Sequence, residues 1–249
     1  MPERKIKVAA VSYLNTKPLL FGLKTHRVMR AMELTEDYPS KIARQLIQDE
    51  VDLALVPVAI IPRMKDYHII GDYCIGSDGP VASVALFSET PVSSIARIYL
   101  DYQSMSSVAL LKILLGSYWK IHPLLSGTTG EFTDLIRGKD AGLMIGDRAL
   151  AQRLQSTYIF DLGEAWKDFT GLPFVYAAWI SNKILPDDFI RDFNEACAIG
   201  IANIPGVIRE NPSPLIDLNL YYTRHISFSL TPEKRKGLAL FLTKLAEMG

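Results

Sequence analysis

The chain has 249 residues, 49% hydrophobic and 22% charged, enough to fill the core of one large domain or of two lobes. Lys plus Arg and Asp plus Glu each total 27, so the formal net charge is zero, and the lack of a basic excess or basic stripe argues against a nucleic-acid binder. No apolar stretch approaches the roughly 20 residues of a membrane span.

The basic patch at 4–7 and the apolar run after it look superficially like a signal peptide. Ser12, Tyr13 and Asn15 follow too soon, however, and no small-residue cleavage site appears. "KIKVAAV" predicts a first strand, and 16–23 a short helix entered through Pro18. "MRAMEL" predicts a second strand, and "PSKIARQLIQDE" a helix with Ile42, Leu46 and Ile47 on one face and Ser40 as its cap. "VDLALVPVAII" is a continuous apolar strand broken at Pro57, and "GPVASVALFSE" a further strand.

From 92 to 174 the same style recurs: "ARIYLD" as strand, "SSVALLKILLGSYW" as helix, "GEFTDLIRG" as a short helix closed by Gly138, and "AGLMIGD" as a buried strand. "ALAQRLQ" and "GEAWKDFTG" predict helices, and "FVYAAWIS" runs back as a strand. "PDDFIRDFNEACAIGIANI" is the longest amphipathic helix, and "TPEKRKGLALFLTKLAEM" closes the chain with Thr231 as cap. Alternation of strand and helix implies an α/β fold with parallel strands. We expect a hinged clamshell: a discontinuous lobe 1 of residues 1–88 and 177–249, an inserted lobe 2 of residues 89–176, and two interlobe crossings near 84–87 and 175–180.

Three strand-to-helix turns share one chemistry: "SYLNT", "DYQSMSS" and "SGTTGE". Such turns, at the carboxyl ends of parallel strands, are where α/β proteins bind ligands. Each offers hydroxyls or amides beside a helix N-terminus, whose free N–H groups and dipole favour an anion. Each also has a purely structural reading, since Thr128 with Glu131 has capping-box spacing and Ser104 or Ser106 caps a helix without any ligand. Asn15 is surplus to capping if Thr16 is the cap. Gly76, Gly79 and Pro80 bring backbone close to a cleft, and Ser83 interrupts an apolar strand.

The common catalytic sets are missing: no G-x-S-x-G, H-E-x-x-H, P-loop or dinucleotide fingerprint occurs. His26, His68, His122 and His225 read as surface or structural, and Asp187 with Asp188 as helix-opening dipole chemistry. Cys74 and Cys197 lack metal spacing and read as reduced buried thiols of a cytoplasmic protein. The residues alone thus describe a hinged α/β cleft suited to a small carboxylated ligand, and no reaction.

"VSYLNTKPL", "LALVPVAIIP", "YCIGSDGPVASVALFS", "GLMIGDRAL" and "DLGEAWKDFTGLPFVYAAW", in order over about three-quarters of the chain, resemble the chorismate dehydratases of the futalosine route to menaquinone. The resemblance implies the two-lobed fold of type 2 periplasmic binding proteins in a cytoplasmic hydro-lyase that uses no metal and no cofactor. The substrate would be chorismate, a small dicarboxylate, with neither nucleic acid nor membrane as partner. A sister enzyme, 1,4-dihydroxy-6-naphthoate synthase, shares the fold but lacks the inserted leucine and the following proline that Leu14 and Pro18 supply here.

The implied product is 3-[(1-carboxyvinyl)oxy]benzoate, and the substrate's own enolpyruvyl carboxylate is the expected base. Asn15 is expected to be catalytic. Ser12, Tyr13, Thr16, Gly79, Ser83, Ser104, Ser106, Ser107, Thr128, Thr129, Asp147, Arg148 and Tyr176 are expected to bind the substrate. The family usually reads Ser-Arg-Thr-Ser where this chain has Ser104-Met105-Ser106-Ser107, so Arg148 is the candidate to compensate. Tyr13, Phe174, Tyr176 and Trp179 are candidates either to pack on the ring or to fill the core. The alternatives are a non-catalytic binder or sensor of small organic acids, and the sister synthase activity.

Overall fold

An apolar run such as "KVAAV" is stable only where both faces of a strand are covered, and Val8, Ala9 and Ala10 are wholly buried in the computed structural model, which describes residues 4–248. From the N-terminus come β1 (Ile6–Val11), a 3-10 turn (Leu14–Thr16), α1 (Lys17–Thr25), β2 (Met32–Asp37), α2 (Pro39–Ile47), β3 (Leu53–Pro57) and β4 (His68–Ser77). Next are β5 (Val84–Ser88), β6 (Arg97–Leu100), α3 (Ser106–Ile113), β7 (Leu124–Gly127), β8 (Asp140–Ile145), α4 (Gly146–Gln152), β9 (Tyr158–Asp161) and α5 (Leu162–Thr170). The chain ends with β10 (Phe174–Ser181), α6 (Asp187–Ala202), α7 (Ile204–Glu210), α8 (Leu218–Leu220), a π-helical turn (Tyr221–His225), β11 (Ser227–Ser229) and α9 (Pro232–Glu247).

The strands form two sheets, in the orders β11-β4-β10-β3-β1-β2 and β7-β6-β8-β5-β9. Both are mixed, with the parallel strands that the alternation of elements implies joined by antiparallel ones. β1 is parallel to β2 and β3, but β10 is antiparallel to β3 and β4 because the chain re-enters the first sheet from the second. In the second sheet β6 runs parallel to β7 and β8, and β5 antiparallel to β8 and β9.

Sheet membership moves the expected crossings. Residues 84–88 pair only in the second sheet, and Phe174 and Val175 already pair with β4 in the first. The chain therefore passes between sheets at about 78–83 and 162–173, not inside those strands.

Local chemistry explains other departures. β2 starts at Met32, because 27–31 forms a 3-10 turn in which His26 Nδ1 accepts from the Val28 N–H at 3.2 Å. α2 begins at Pro39 behind Tyr38, so Ser40 is no cap. The Thr16 side chain makes no capping bond at α1. The "GEFTDLIRG" stretch forms only a 3-10 turn (Thr133–Leu135). β7 and β9 were not anticipated, since strands of four residues carry too little periodicity to read. Thr231 does cap α9, its side chain accepting from Lys234 N.

Candidate functional site

Between the two sheets lies a narrow cleft with a cavity volume of about 60 Å³. The turn after β1 contributes Tyr13, Asn15 and Thr16, β3 contributes Leu55 and Pro57, and β10 contributes Tyr176. From the other side come Gln103, Ser104, Ser106 and Ser107 at the start of α3, and Ile145 and Gly146 at the start of α4, while Ser83 lies at the crossing. Among the described residues, no Lys, Arg, His, Asp or Glu lines this cleft. Its polar surface is made of hydroxyls, two amides and helix N-termini.

The structure brings together eight of the expected residues: Tyr13, Asn15, Thr16, Ser83, Ser104, Ser106, Ser107 and Tyr176. Six lie outside the lining. Ser12 and Thr129 are exposed, and Gly79 packs its carbonyl against Gly163 of α5. Thr128 does not cap a helix, because its Oγ1 donates to the Leu100 carbonyl at 2.7 Å. Arg148 does not reach in to replace an arginine at 105. Its guanidinium is held by both oxygens of Asp101, at 2.6 and 2.7 Å, and by Glu131 at 3.2 Å. Met105 lines a separate outer groove with Val108, Lys112, Leu245 and Met248. Phe174 and Trp179 belong to the core, at 1% and 0% exposure.

Asn15 is fixed by a bond that the sequence reading assigned differently. Thr16 Oγ1 donates to Asn15 Oδ1 at 3.1 Å, so the Thr16 hydroxyl holds the amide, not the helix end. That leaves the Asn15 NH2 group, with no acceptor among the described residues, available to a ligand. The peptide before it is gripped on both sides: Leu14 N–H donates to Asp147 Oδ1 at 3.2 Å, and the buried Tyr222 hydroxyl donates to the Leu14 carbonyl at 3.0 Å. Asp147 therefore acts behind the cleft wall.

On the other side, Ser104 Oγ accepts from Ser107 N at 3.2 Å and Ser106 Oγ from Ala59 N at 3.1 Å, the latter a bond between the two lobes. The Tyr13 hydroxyl donates to Gln103 Oε1, a second interlobe bond. Burial, reinforced by nearby Asp101, pushes the Tyr13 pKa far above the ordinary phenol value, so it remains a neutral donor. Asp101, 2% exposed, also accepts from Gln103 N at 2.9 Å and Ile145 N at 3.1 Å, tying the α3 turn to the end of β8. Burial raises its pKa against those bonds and against Arg148. For Arg148, burial works against the charge, but Asp101 and Glu131 outweigh it and raise its pKa.

The crossing at 78–83 is held by one carboxylate. Asp161, 4% exposed, accepts from Val81 N at 3.0 Å, Ala82 N at 2.8 Å, Gly163 N at 3.0 Å and Glu164 N at 3.2 Å. Those bonds stabilise Ala82 at φ 64°, a left-handed conformation that a non-glycine residue adopts only under such constraint. Ser83 follows at once, its carbonyl accepting from Gly146 N at 2.8 Å and its Oγ accepting from the Tyr221 hydroxyl at 2.8 Å. Sequence reasoning missed Asp161, Gln103, Asp101, Tyr221 and Tyr222. Asp101 and Gln103 lie within the "DYQSMSS" turn without having been singled out, and Asp161 carried a signal of its own, with Glu164 three residues later in helix-capping spacing.

Two α/β lobes pinching a polar cleft define a periplasmic-binding-protein-like clamshell, and solved structures share it. A protein of Archaeoglobus fulgidus superposes with TM-score 0.69 at 17% identity, covering 100% of this chain and 97% of its own. The alkanesulfonate-binding protein of Xanthomonas axonopodis, bound to MOPS, gives 0.65 at 13% identity, with 96% and 93% covered. A Candida albicans protein of the generic periplasmic binding protein fold gives 0.63 at 16%, with 98% and 94% covered.

Within that class, the chain belongs to the menaquinone biosynthesis family, whose pattern residues 6–247 match. The chorismate dehydratase of Thermus thermophilus is 28% identical over 260 residues, spanning 94% of this chain and 92% of that protein. The chorismate dehydratase of Campylobacter jejuni is 26% identical over 238 residues, spanning 91% of each.

Proposed function

We propose that this protein is a cytoplasmic chorismate dehydratase that converts chorismate to 3-[(1-carboxyvinyl)oxy]benzoate in menaquinone biosynthesis. The two dehydratase relatives support the reading, and one observation carries it: among the described residues, the Asn15 amide NH2 has no acceptor and no ionisable Lys, Arg, His, Asp or Glu side chain lines its interlobe cleft. Loss of water breaks the C–H bond at the ether-bearing carbon and the C–O bond of the neighbouring hydroxyl. The C–H electrons enter the ring and the leaving hydroxide takes up a proton. Because the ring becomes aromatic, the step needs a weak base held in place more than a strong one.

With no carboxylate or imidazole among the described residues of the lining, the enolpyruvyl carboxylate of the substrate itself takes the proton in this proposal. Asn15 orients that carboxylate or the leaving hydroxyl. Ser83, the Ser104, Ser106 and Ser107 turn and the N-terminus of α3 bind the carboxylates, since helix-end N–H groups favour anions without a counter-charge. The Tyr13 and Tyr176 rings, both in the lining, flank the substrate ring.

The test is direct. Purified protein incubated with chorismate should yield a species lighter by one water, with the ultraviolet signature of a benzoate. A non-catalytic binder would close on chorismate and release it unchanged, and the sister synthase would act only on a cyclic futalosine-derived substrate. Either result would overturn the proposal.

A further inference from the structure

Behind the cleft wall, two consecutive phenols reach far across the chain, one to Ser83 in the lining and one to the Leu14 carbonyl beside Asn15. Tyr221 and Tyr222 are 0% and 3% exposed, and they bond across sequence separations of 138 and 208 residues. We propose that Tyr221 and Tyr222 are positioning residues of the dehydration, Tyr221 aiming the Ser83 hydroxyl proton into the cleft and Tyr222 fixing the peptide that carries Asn15. The inference rests on the dehydratase reading and extends it to a segment that no motif marks.

Hydrogen-bond accounting sets the direction of the Tyr221–Ser83 bond. Tyr221 is wholly buried and Ser83 Oγ, 2.8 Å away, is its hydroxyl's partner among the described residues. Were Ser83 the donor, the phenol hydrogen would be stranded in the core, a loss of about 1–3 kcal/mol. With Tyr221 as donor, the phenol is satisfied and one Ser83 lone pair is occupied. The Ser83 hydrogen is then left to a substrate oxygen, because Ser83 lines the cleft. Burial raises both phenols far above their ordinary pKa, so neither loses its donor proton in the working range.

Tyr222 acts on the other half of the site. Its hydroxyl and the Asp147 carboxylate hold the two ends of Leu14, C=O and N–H, so the residue next to Asn15 has little freedom left. The backbone that presents the pair is itself unusual. Ile226 N donates to the Tyr221 carbonyl at 2.9 Å, closing a π-helical turn, a form frequent at functional sites and also present here at Leu114–Trp119. The two rings brace each other, with centroids 5.5 Å apart. A turn from the carboxyl-terminal part of the chain thus sets both the serine and the amide.

The test is a pair of double-mutant cycles on chorismate turnover, with thermal unfolding as the control on folding. Tyr221→Phe keeps the ring and removes only the hydroxyl, and kcat/KM should fall about tenfold, the equivalent of about 1.4 kcal/mol. In a Ser83→Ala background the same change should cost nothing further, since a residue acting through Ser83 has nothing left to orient. Tyr222→Phe should likewise lower kcat/KM about tenfold, and by much less in an Asn15→Ala background. It also serves as the independent arm should Tyr221→Phe fold poorly. Wild-type kcat/KM in both phenylalanine variants, or effects that add fully in both cycles, would overturn the inference alone. A wild-type protein inert on chorismate would instead overturn the functional reading, and this one with it.

Discussion

Two amides face the cleft, and their bonds give them different work. Gln103 spends its Oε1 on Tyr13, whereas Asn15 has its Oδ1 occupied by Thr16 and keeps two N–H donors for a ligand. A preorganised donor aimed at developing charge is worth about 10²–10³ in rate. Asn15→Ala should therefore lower kcat by at least about 100-fold while the unfolding midpoint stays within a few degrees, because Asn15 is only half-buried and its loss opens no core cavity. Steady-state assays beside a melting curve check both halves, and a near-wild-type rate would remove Asn15 from the chemistry. Arg148, by contrast, lends no charge to the cleft, since Asp101 claims its guanidinium.

At the scale of elements, the position of the Asn15 turn depends on how α1 seats on α6. The two helices touch through glycines: a Cβ on Gly22 would stand 1.8 Å from the Ala196 carbonyl oxygen, and one on Gly200 1.9 Å from that of Pro18. Backbone cannot yield as a flexible side chain does, so a single methyl must separate the helices. Gly200→Ala should cost about 1–3 kcal/mol or more of stability, read as a lower denaturation midpoint. It should also reduce turnover, because α1 carries the Asn15 turn at its entrance. An unchanged midpoint would show that the contact is looser than these distances require.

For the molecule as a whole, closure depends on bonds that join the lobes around the cleft: Tyr13 to Gln103, Leu14 to Asp147, and Ala59 to Ser106. Of these, the Asp147 bond responds to pH. Burial raises the Asp147 pKa above that of ordinary aspartate, against the pull of Leu14 N–H and Lys17. Such a carboxyl holds its proton more tightly folded than unfolded. Its ionised form therefore subtracts stability above the folded pKa, and the loss vanishes once the pH drops below the unfolded value of about 3.9. Asp147→Asn, which keeps an oxygen to accept from Leu14, should melt higher than wild type at pH 7 and equally at about pH 3. A variant less stable at neutral pH would show that the ionised latch is a net gain.

Much of the architecture was legible in the chain. Short apolar runs such as "LALVP" and "FVYAAWIS", bounded by proline or polar residues, read as buried strands, and the Thr231–Pro232 start of α9 follows from capping chemistry alone. The turn at 13–16 and the serines of 104–107 were legible as polar helix starts, and the fold brings them into one cleft lining. Sheet pairing, the places where the chain changes lobes and the exclusion of Arg148 and Thr128 from the cleft were decided only by tertiary structure. So were the contributions of Asp161, Tyr221 and Tyr222. The reason is physical: local spacing fixes what a backbone segment can become. Which buried hydroxyl or carboxylate finds which partner is settled by contacts between residues up to 208 positions apart, and no period in the sequence records them.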